Sequence, residues 1–346
     1  MPEGGLKEGI NPRTTNGVVK TVTYAELNDI TSGFTSRIGS GGFGDVFRGV
    51  WNGRNVAVKR RRPDVRQGVD EIRRELELGG RMEQPRSRSG SARGGFSFVP
   101  VLAACMQSEA HLSLVYPLMS NGSLMDRLQC VAGSPPLRYA LRLRIANQVA
   151  CAIFDLHVQT GYVHSDISSN NILLDEQLRA YLGDFGLSQP IPVDAALEKL
   201  LRPRSSQSRQ QPLNNVATRM QSMRWHHRGG KEGYVDPEHR PSGAVKPSSD
   251  VYQFGIVLLE LLTGQPANDP FKKPPELIER LRPTLNSSIP SDSAAEWPEA
   301  IHKDLCALAR QCVSRRGTAR PVAKAVKEEL HRLVSASDNE LSATAE

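Results

Sequence analysis

Ile38-Gly39-Ser40-Gly41-Gly42-Phe43-Gly44-Asp45-Val46 is a glycine-rich run set between β-branched residues, and Asn55-Val56-Ala57-Val58-Lys59 follows it after one more turn. Glycines let backbone N–H groups close on phosphate oxygens that any Cβ would hold off. The same G-x-G-x-x-G spacing marks dinucleotide-binding folds, where a helix opens directly behind the glycines. Here a β-branched segment, Asp45 to Val50, follows instead. That order predicts a hairpin folded over the phosphates of a nucleotide rather than a Rossmann turn.

Further along, Val69, Ile72 and Leu76 recur at helical spacing. Phe98 to Leu102 and His111 to Tyr116 read as strands, Leu137 to His157 as a long amphipathic helix, and helical periodicity returns after Ser249. A strand-rich part of roughly 80 residues thus precedes a helix-rich part about twice that size, which predicts two lobes. Tyr24 to Ile30 has the spacing of a short docked helix. Pro85 to Gly95 and Gln189 to Gly230 have the composition of long loops, and residues 1–20 and the polar tail that of unstructured ends.

Composition removes several classes. The chain has 346 residues with 23% charged and 38% hydrophobic, which is globular. Its net charge, 44 − 37 = +7, is mild and scattered, so nucleic acid is not an expected partner. The Arg-rich insert lacks the interleaved aromatics of a nucleic-acid module. The longest apolar stretch, Val251 to Leu262, holds Gln253 and Glu260 and falls short of the ~20 residues a membrane span needs. The first ten residues carry Glu3, Lys7 and Glu8 and no apolar h-region, so no secretory signal is expected. Five widely spaced cysteines suggest neither a disulfide framework nor a metal knuckle, and a reducing cytoplasmic location is the expectation.

The chemistry lies in two further runs, His164-Ser165-Asp166-Ile167-Ser168-Ser169-Asn170-Asn171 and Gly183-Asp184-Phe185-Gly186. A carboxylate able to accept a hydroxyl proton, an amide oxygen five residues on, and a second carboxylate are the groups that metal-assisted phosphoryl transfer needs. Each run alone says little. Four of them in one order are specific.

Taken together, these motifs resemble the protein kinase signature set over about Phe34 to Leu333. Asp236-Pro237-Glu238, Ser249-Asp250 and Arg320-Pro321 agree with it. Ser113 to Leu128, Asn171 to Asp175 and Gly255 to Gly264 are similar to the receptor-like/Pelle branch, near interleukin-1-receptor-associated kinases and plant receptor-like cytoplasmic kinases. The resemblance implies an α+β, bilobal protein kinase fold: a small antiparallel β lobe with one helix, and a larger helical lobe. The divisions would be an N-terminal extension (1–33), an N-lobe (34–119), a C-lobe (120–335) with an activation segment (184–238), and a tail (336–346).

The resemblance further implies ATP and Mg²⁺, with protein Ser/Thr hydroxyls as acceptors and an upstream receptor or adaptor complex as partner. Lys59 would hold the α/β-phosphates, paired by Glu75, with Glu71 and Glu77 as rivals. Asp166 would be the catalytic base, and Asn171 and Asp184 the metal ligands. Gly39, Ser40, Gly41, Gly42, Phe43 and Gly44 would cover the phosphates. Ile38, Val46, Ala57 and Leu173 would sandwich the adenine, with Tyr116 gating the inner pocket and Pro117 and Met119 at the hinge. Asp250 would brace the catalytic loop, and Arg320 would pair with Glu238.

This chain departs from the pattern at several positions. Ser165 stands where an arginine usually precedes the catalytic aspartate, so no cation is available there for an activation-loop phosphate. Gly79 stands where an apolar side chain backs the site, which predicts a looser Lys59–Glu75 pair. Ser168 and Lys231 occupy the sites of a lysine and a threonine, as if hydroxyl and ammonium had changed places. Lys231 then counts among the catalytic candidates. With these changes near the chemistry, an ATP-binding pseudokinase acting as scaffold or switch is the alternative expectation. Ser205, Ser206, Ser208, Thr218 and Ser222 are candidate phosphorylation sites.

Overall fold

The computed structural model describes residues 19–41, 44–62, 68–81, 97–191, 231–238 and 246–343. Gly42 and Phe43, the Pro85–Gly95 insert, and the five candidate phosphorylation sites lie outside the described residues.

Six strands form the first sheet: β1 (Lys20–Thr21), β2 (Arg37–Ser40), β3 (Gly44–Trp51), β4 (Arg54–Arg61), β5 (Ala103–Cys105) and β6 (Ser113–Pro117). Their order is β1-β5-β6-β4-β3-β2, antiparallel except where β1 lies parallel to β5. Side chains alternate across each strand. Val56 and Val58 are fully buried on one face, against Leu27 and Ile30 of α1 (Tyr24–Ile30). On the other face Ile72 of α2 (Gly68–Arg81) packs with Ala104, Leu112 and Leu114. Ala57 and Lys59 share that second face, which is how a strand lysine comes to stand beside a helix.

The β lobe begins earlier than residue 34. Thr23 and Glu26 close a capping box on α1, and Val22, Leu27 and Ile30 belong to the same buried cluster as Val56, Ala103 and Val115. The physical reason is area: each such apolar side chain contributes about 1.5–3 kcal/mol when buried, and the outer sheet face is otherwise bare.

The second lobe is helical: α3 (Leu124–Leu128), α4 (Tyr139–Asp155), α5 (Pro247–Thr263), α6 (Leu277–Leu281), α7 (Glu299–Cys312) and α8 (Ala323–Ala343). Helix α5 is buried from Ser249 to Thr263 and is the post around which α4, α7 and α8 pack. Buried along nearly its whole length, it is a core helix, apolar except where Asp250, Gln253 and Glu260 meet polar partners. A small hairpin, β8 (Ile172–Leu174) with β9 (Ala180–Leu182), lies between two site runs, and β7 (Tyr162–Val163) pairs with β10 (Gln189–Pro190). No helix among the described residues is long and apolar enough to cross a membrane.

The C-terminal expectation needs correcting, since α8 continues past residue 335 to Ala343. Ser337 is buried and Arg144 pairs with Asp338 at 2.7 Å, so the polar stretch is one face of a docked helix.

Candidate active site

The site is built where the two lobes meet. Lys59 Nζ donates to Glu75 Oε1 at 2.6 Å and to Asp184 Oδ1 at 2.8 Å, joining β4, α2 and the turn after β9. Of the three glutamates on α2, Glu75 is the one in contact. Glu77 accepts instead from the Tyr162 hydroxyl at 3.1 Å. Glu71, one turn before Glu75, is 6% exposed, and its Oε2 has no hydrogen-bond partner among the described residues. Burial pushes the Glu71 carboxyl up to about 8, against the pull of Lys59. Burial also works against the charge on Asp184, but the Lys59 ammonium outweighs it and holds that carboxyl at about 2. Lys59 is likewise penalised by burial, and Asp184 and Glu75 together lift it above the ordinary lysine range.

The Lys59–Glu75 pair is made despite Gly79. A Cβ added at Gly79 would stand 3.1 Å from Val101 Cγ2, so a neighbouring valine occupies the space of the missing side chain. Tyr116 reinforces the pair by donating its hydroxyl to Glu75 Oε2. On the hairpin, Gly41 N–H donates to Gly44 O at 2.9 Å, and Ser40 Oγ to Asp45 Oδ1 at 2.8 Å. A side chain at Gly44 would run into the Arg60 carbonyl of the adjacent strand.

The His164–Asn171 run is pinned from below by α5. Asp250 accepts from His164 N at 2.8 Å and Ser165 N at 2.9 Å, and its Oδ2 also meets His157 Nε2 at 2.8 Å. His164 Nε2 lies 3.1 Å from Gly183 O, which can only accept, so that nitrogen carries the hydrogen. Its Nδ1 then accepts from Asp166 N at 3.3 Å. Both bonds suit the neutral ring, and burial pushes the imidazole below its ordinary pKa. Ser165 and Asp184 hold left-handed backbone, φ 74 and φ 64, at about 1–2 kcal/mol each. Such strain persists only where neighbours over-determine it, as the Asp250 and Lys59 contacts do here.

Asn171 Nδ2 donates to Asp166 O and Oδ2, both at 2.8 Å, which turns its amide oxygen away from Asp166. Burial, then the nearby Asp184, push the Asp166 carboxyl up to about 6, while Lys231 and Asn171 pull it down. Asn171 and Asp184 together offer hard oxygens. Among the described residues no trio of His, Cys, Asp or Glu gathers into a closed metal cage. An open pair of oxygens fits Mg²⁺, which keeps several waters and takes phosphate oxygens as its remaining ligands.

Beside this cluster Val46, Ala57 and Leu173 are half-buried and Ile38 is 48% exposed, an apolar set left partly open to solvent. Pro117 pairs with Val56 in the β4–β6 ladder, and Met119 O accepts from Gly122 N at 3.0 Å.

Lys231 is positioned by a turn. Its carbonyl accepts from Tyr234 N at 3.0 Å, and the Tyr234 hydroxyl reaches Ser169 Oγ at 2.9 Å and Glu260 Oε2 at 2.7 Å. The 231–234 turn is thereby docked on the catalytic loop. Ser168 Oγ is fully buried with no partner among the described residues.

Arg320 departs from expectation. Its guanidinium forms a two-pronged pair with Asp236, both bonds 2.7 Å, while Glu238 Oε1 accepts from Gly317 N at 2.8 Å. The first residue of Asp236-Pro237-Glu238 is itself a carboxylate, buried beside the guanidinium, and takes the partner's place.

The family model described as the protein kinase domain matches residues 33–331. The chain belongs to the protein kinase family. Similar proteins include U-box domain-containing protein 33 of Arabidopsis thaliana, 32% identical over 303 residues, covering 86% of this chain and 31% of that protein. Wall-associated receptor kinase-like 21 of the same plant is 30% identical over 339 residues, 92% of this chain and 48% of its own length. A leucine-rich repeat receptor-like serine/threonine-protein kinase, also from Arabidopsis thaliana, is 32% identical over 321 residues, 89% of this chain and 32% of its own. The chain therefore spans a third to a half of the curated relatives it matches. These relatives place the kinase domain beside the plant receptor-like kinases, and the likeness to interleukin-1-receptor-associated kinases rests on the sequence motifs alone.

His157 and Gln253, like Tyr234 and Glu260, have no role assigned from the sequence. His157 closes on Asp250 from the turn just past α4, and Gln253 reaches the 164–171 loop from α5. Gln253 lies three residues after Asp250, the helical spacing that puts two side chains on one face. That spacing was the available signal.

Proposed function

We propose that this kinase domain transfers the γ-phosphoryl group of ATP to serine or threonine hydroxyls of protein substrates. The observation that carries the reading is the convergence of Lys59, Glu75 and Asp184 within hydrogen-bonding distance, with Asp166 presented by Asn171 on the same groove. Lys59, oriented by Glu75, holds the α/β-phosphates. Ile38, Val46, Ala57 and Leu173 take the adenine, Pro117 and Met119 present the hinge, and Gly39 to Gly44 cover the phosphates. Asn171 and Asp184 would hold Mg²⁺, which supplies neutralisation of phosphate charge. Asp166 aligns the acceptor hydroxyl and takes its proton, and a carboxyl near 6 is ionised at neutral pH yet basic enough for the task. Relatives named as receptor-like kinases favour a signalling role below a receptor or adaptor complex.

Lys231 belongs to this proposal. From the docked 231–234 turn its ammonium neutralises charge beside Asp166, and Ser168, whose hydroxyl has no partner among the described residues, supplies the hydroxyl on the loop. A lysine stem of four carbons has the reach.

The test is transfer of radiolabelled phosphate from ATP, wild type against Asp166→Asn. Transfer abolished in the variant supports the reading. Absence of transfer in both chains, with ATP still bound, overturns it in favour of a nucleotide-binding scaffold.

A further inference from the structure

Asp166 is flanked by two backbone groups that belong to neither strand nor helix. On its C-terminal side Ile167 N donates to Gln253 Oε1 at 2.9 Å. On its N-terminal side Ser165 O accepts from Gln253 Nε2 at 3.1 Å. One carboxamide thus spans the catalytic aspartate with both of its polar ends. Gln253 is 5% exposed on α5, which is buried from Ser249 to Thr263. Its two bonds go to the loop alone, while packing of the same turn is carried by Phe254 and Val257.

The geometry of the loop explains why such a span matters. Ser165 is a non-glycine residue with φ 74, so the peptide leaving it is turned relative to ordinary backbone. Left unheld, that residue would relax toward negative φ and carry Asp166 with it. Asp250 secures the amides of His164 and Ser165. It does not reach the carbonyl of Ser165 or anything beyond Asp166. Gln253, one turn further along the same helix, supplies those two holds. Ser165 also brings no charge to the loop, so a phosphate captured by this position is not available to order it.

We propose that Gln253 is a positioning residue for phosphoryl transfer, a clamp that fixes Asp166 from the buried helix without a phosphate-binding cation at residue 165. The proposal rests on the kinase reading above and deepens it. Only a carboxamide serves: a carboxylate at 253 accepts from Ile167 N but meets the Ser165 carbonyl with a repulsive oxygen, and an apolar side chain holds neither.

The experiment compares wild type with Gln253→Met, which keeps length and volume, and Gln253→Glu. Steady-state transfer is followed by amide hydrogen exchange over residues 164–171. Expected are a kcat lower by about tenfold in both variants, KM for ATP within about twofold because no nucleotide-contacting group has changed, and exchange at Ile167 faster by at least about tenfold with α5 protection retained. An unchanged kcat overturns the clamp. So does a parallel loss of kcat, ATP affinity and α5 protection, which is the signature of a merely structural glutamine. If wild type transfers no phosphate, the kinase reading fails and the catalytic part of the clamp fails with it. Exchange still decides the contact separately, since unchanged protection at Ile167 removes it.

Discussion

The Tyr116 hydroxyl donates to Glu75 Oε2, the oxygen of that carboxylate that Lys59 does not use. The Glu75 carboxylate is therefore held from two directions, by a lysine on β4 and by a tyrosine on β6. Glu75 is 3% exposed, so the hydroxyl replaces solvent that the carboxylate lost on burial.

Tyr116→Phe keeps the ring and removes the donor. Glu75 Oε2 is then buried without a partner, which costs about 1–3 kcal/mol. The expected result is a urea midpoint lowered in proportion at unchanged m-value. A midpoint equal to wild type would show that water restores the bond and that the hydroxyl contributes nothing.

Glu71 sets a pH dependence of opposite sense to that of a paired carboxylate. Its folded pKa, about 8, lies above the unfolded value, so the fold favours its protonated form. The associated stability is complete below about pH 4.5 and is lost as pH rises through 8. Glu71→Gln keeps the shape and removes the titration. Its stability relative to wild type should rise between pH 5 and 8, by about 1–3 kcal/mol at the upper end. Denaturation curves across that range that stay parallel for the two chains would contradict it.

Transfer by the wild type should climb along an acid limb centred near pH 6, where Asp166 gives up its proton. Lys231 lowers that carboxyl, so Lys231→Met should move the limb upward and reduce kcat at pH 6 more than at pH 8. A pH profile that scales uniformly after the substitution would remove Lys231 from the site.

Arg320 and Asp236 form a buried pair, 0% and 2% exposed at their side chains. Taking away one partner strands the other charge, and Arg320→Met should cost about 3–5 kcal/mol. Asp304→Asn, at the exposed pair with Arg332, should cost under about 1 kcal/mol by the same thermal or denaturant measurement. Equal losses in the two variants would mean that the Arg320 pair is solvated.

The amino-acid sequence by itself determined the fold class and the two lobes, and it named Lys59, Glu75 and Asp184, which the structure brings within hydrogen-bonding distance. Each rests on a short-range property: glycines before a β-branched strand, an apolar run too short for a membrane, and motif residues whose spacing does not depend on what they touch. Tertiary structure decided between residues that the sequence could only rank or name together. Glu71, Glu75 and Glu77 share one helix; the motif resemblance favours Glu75, and the rotation of that helix against β4 brings Glu75 to Lys59. Asp236 and Glu238 stand two residues apart, and the path of the buried guanidinium chooses between them. Val101 fills the gap at Gly79 from a distant segment, and Gln253 becomes a clamp only because α5 runs beneath a loop far away in the chain. These selections depend on distances of a few ångströms between segments that are remote in sequence, and no local pattern encodes such distances.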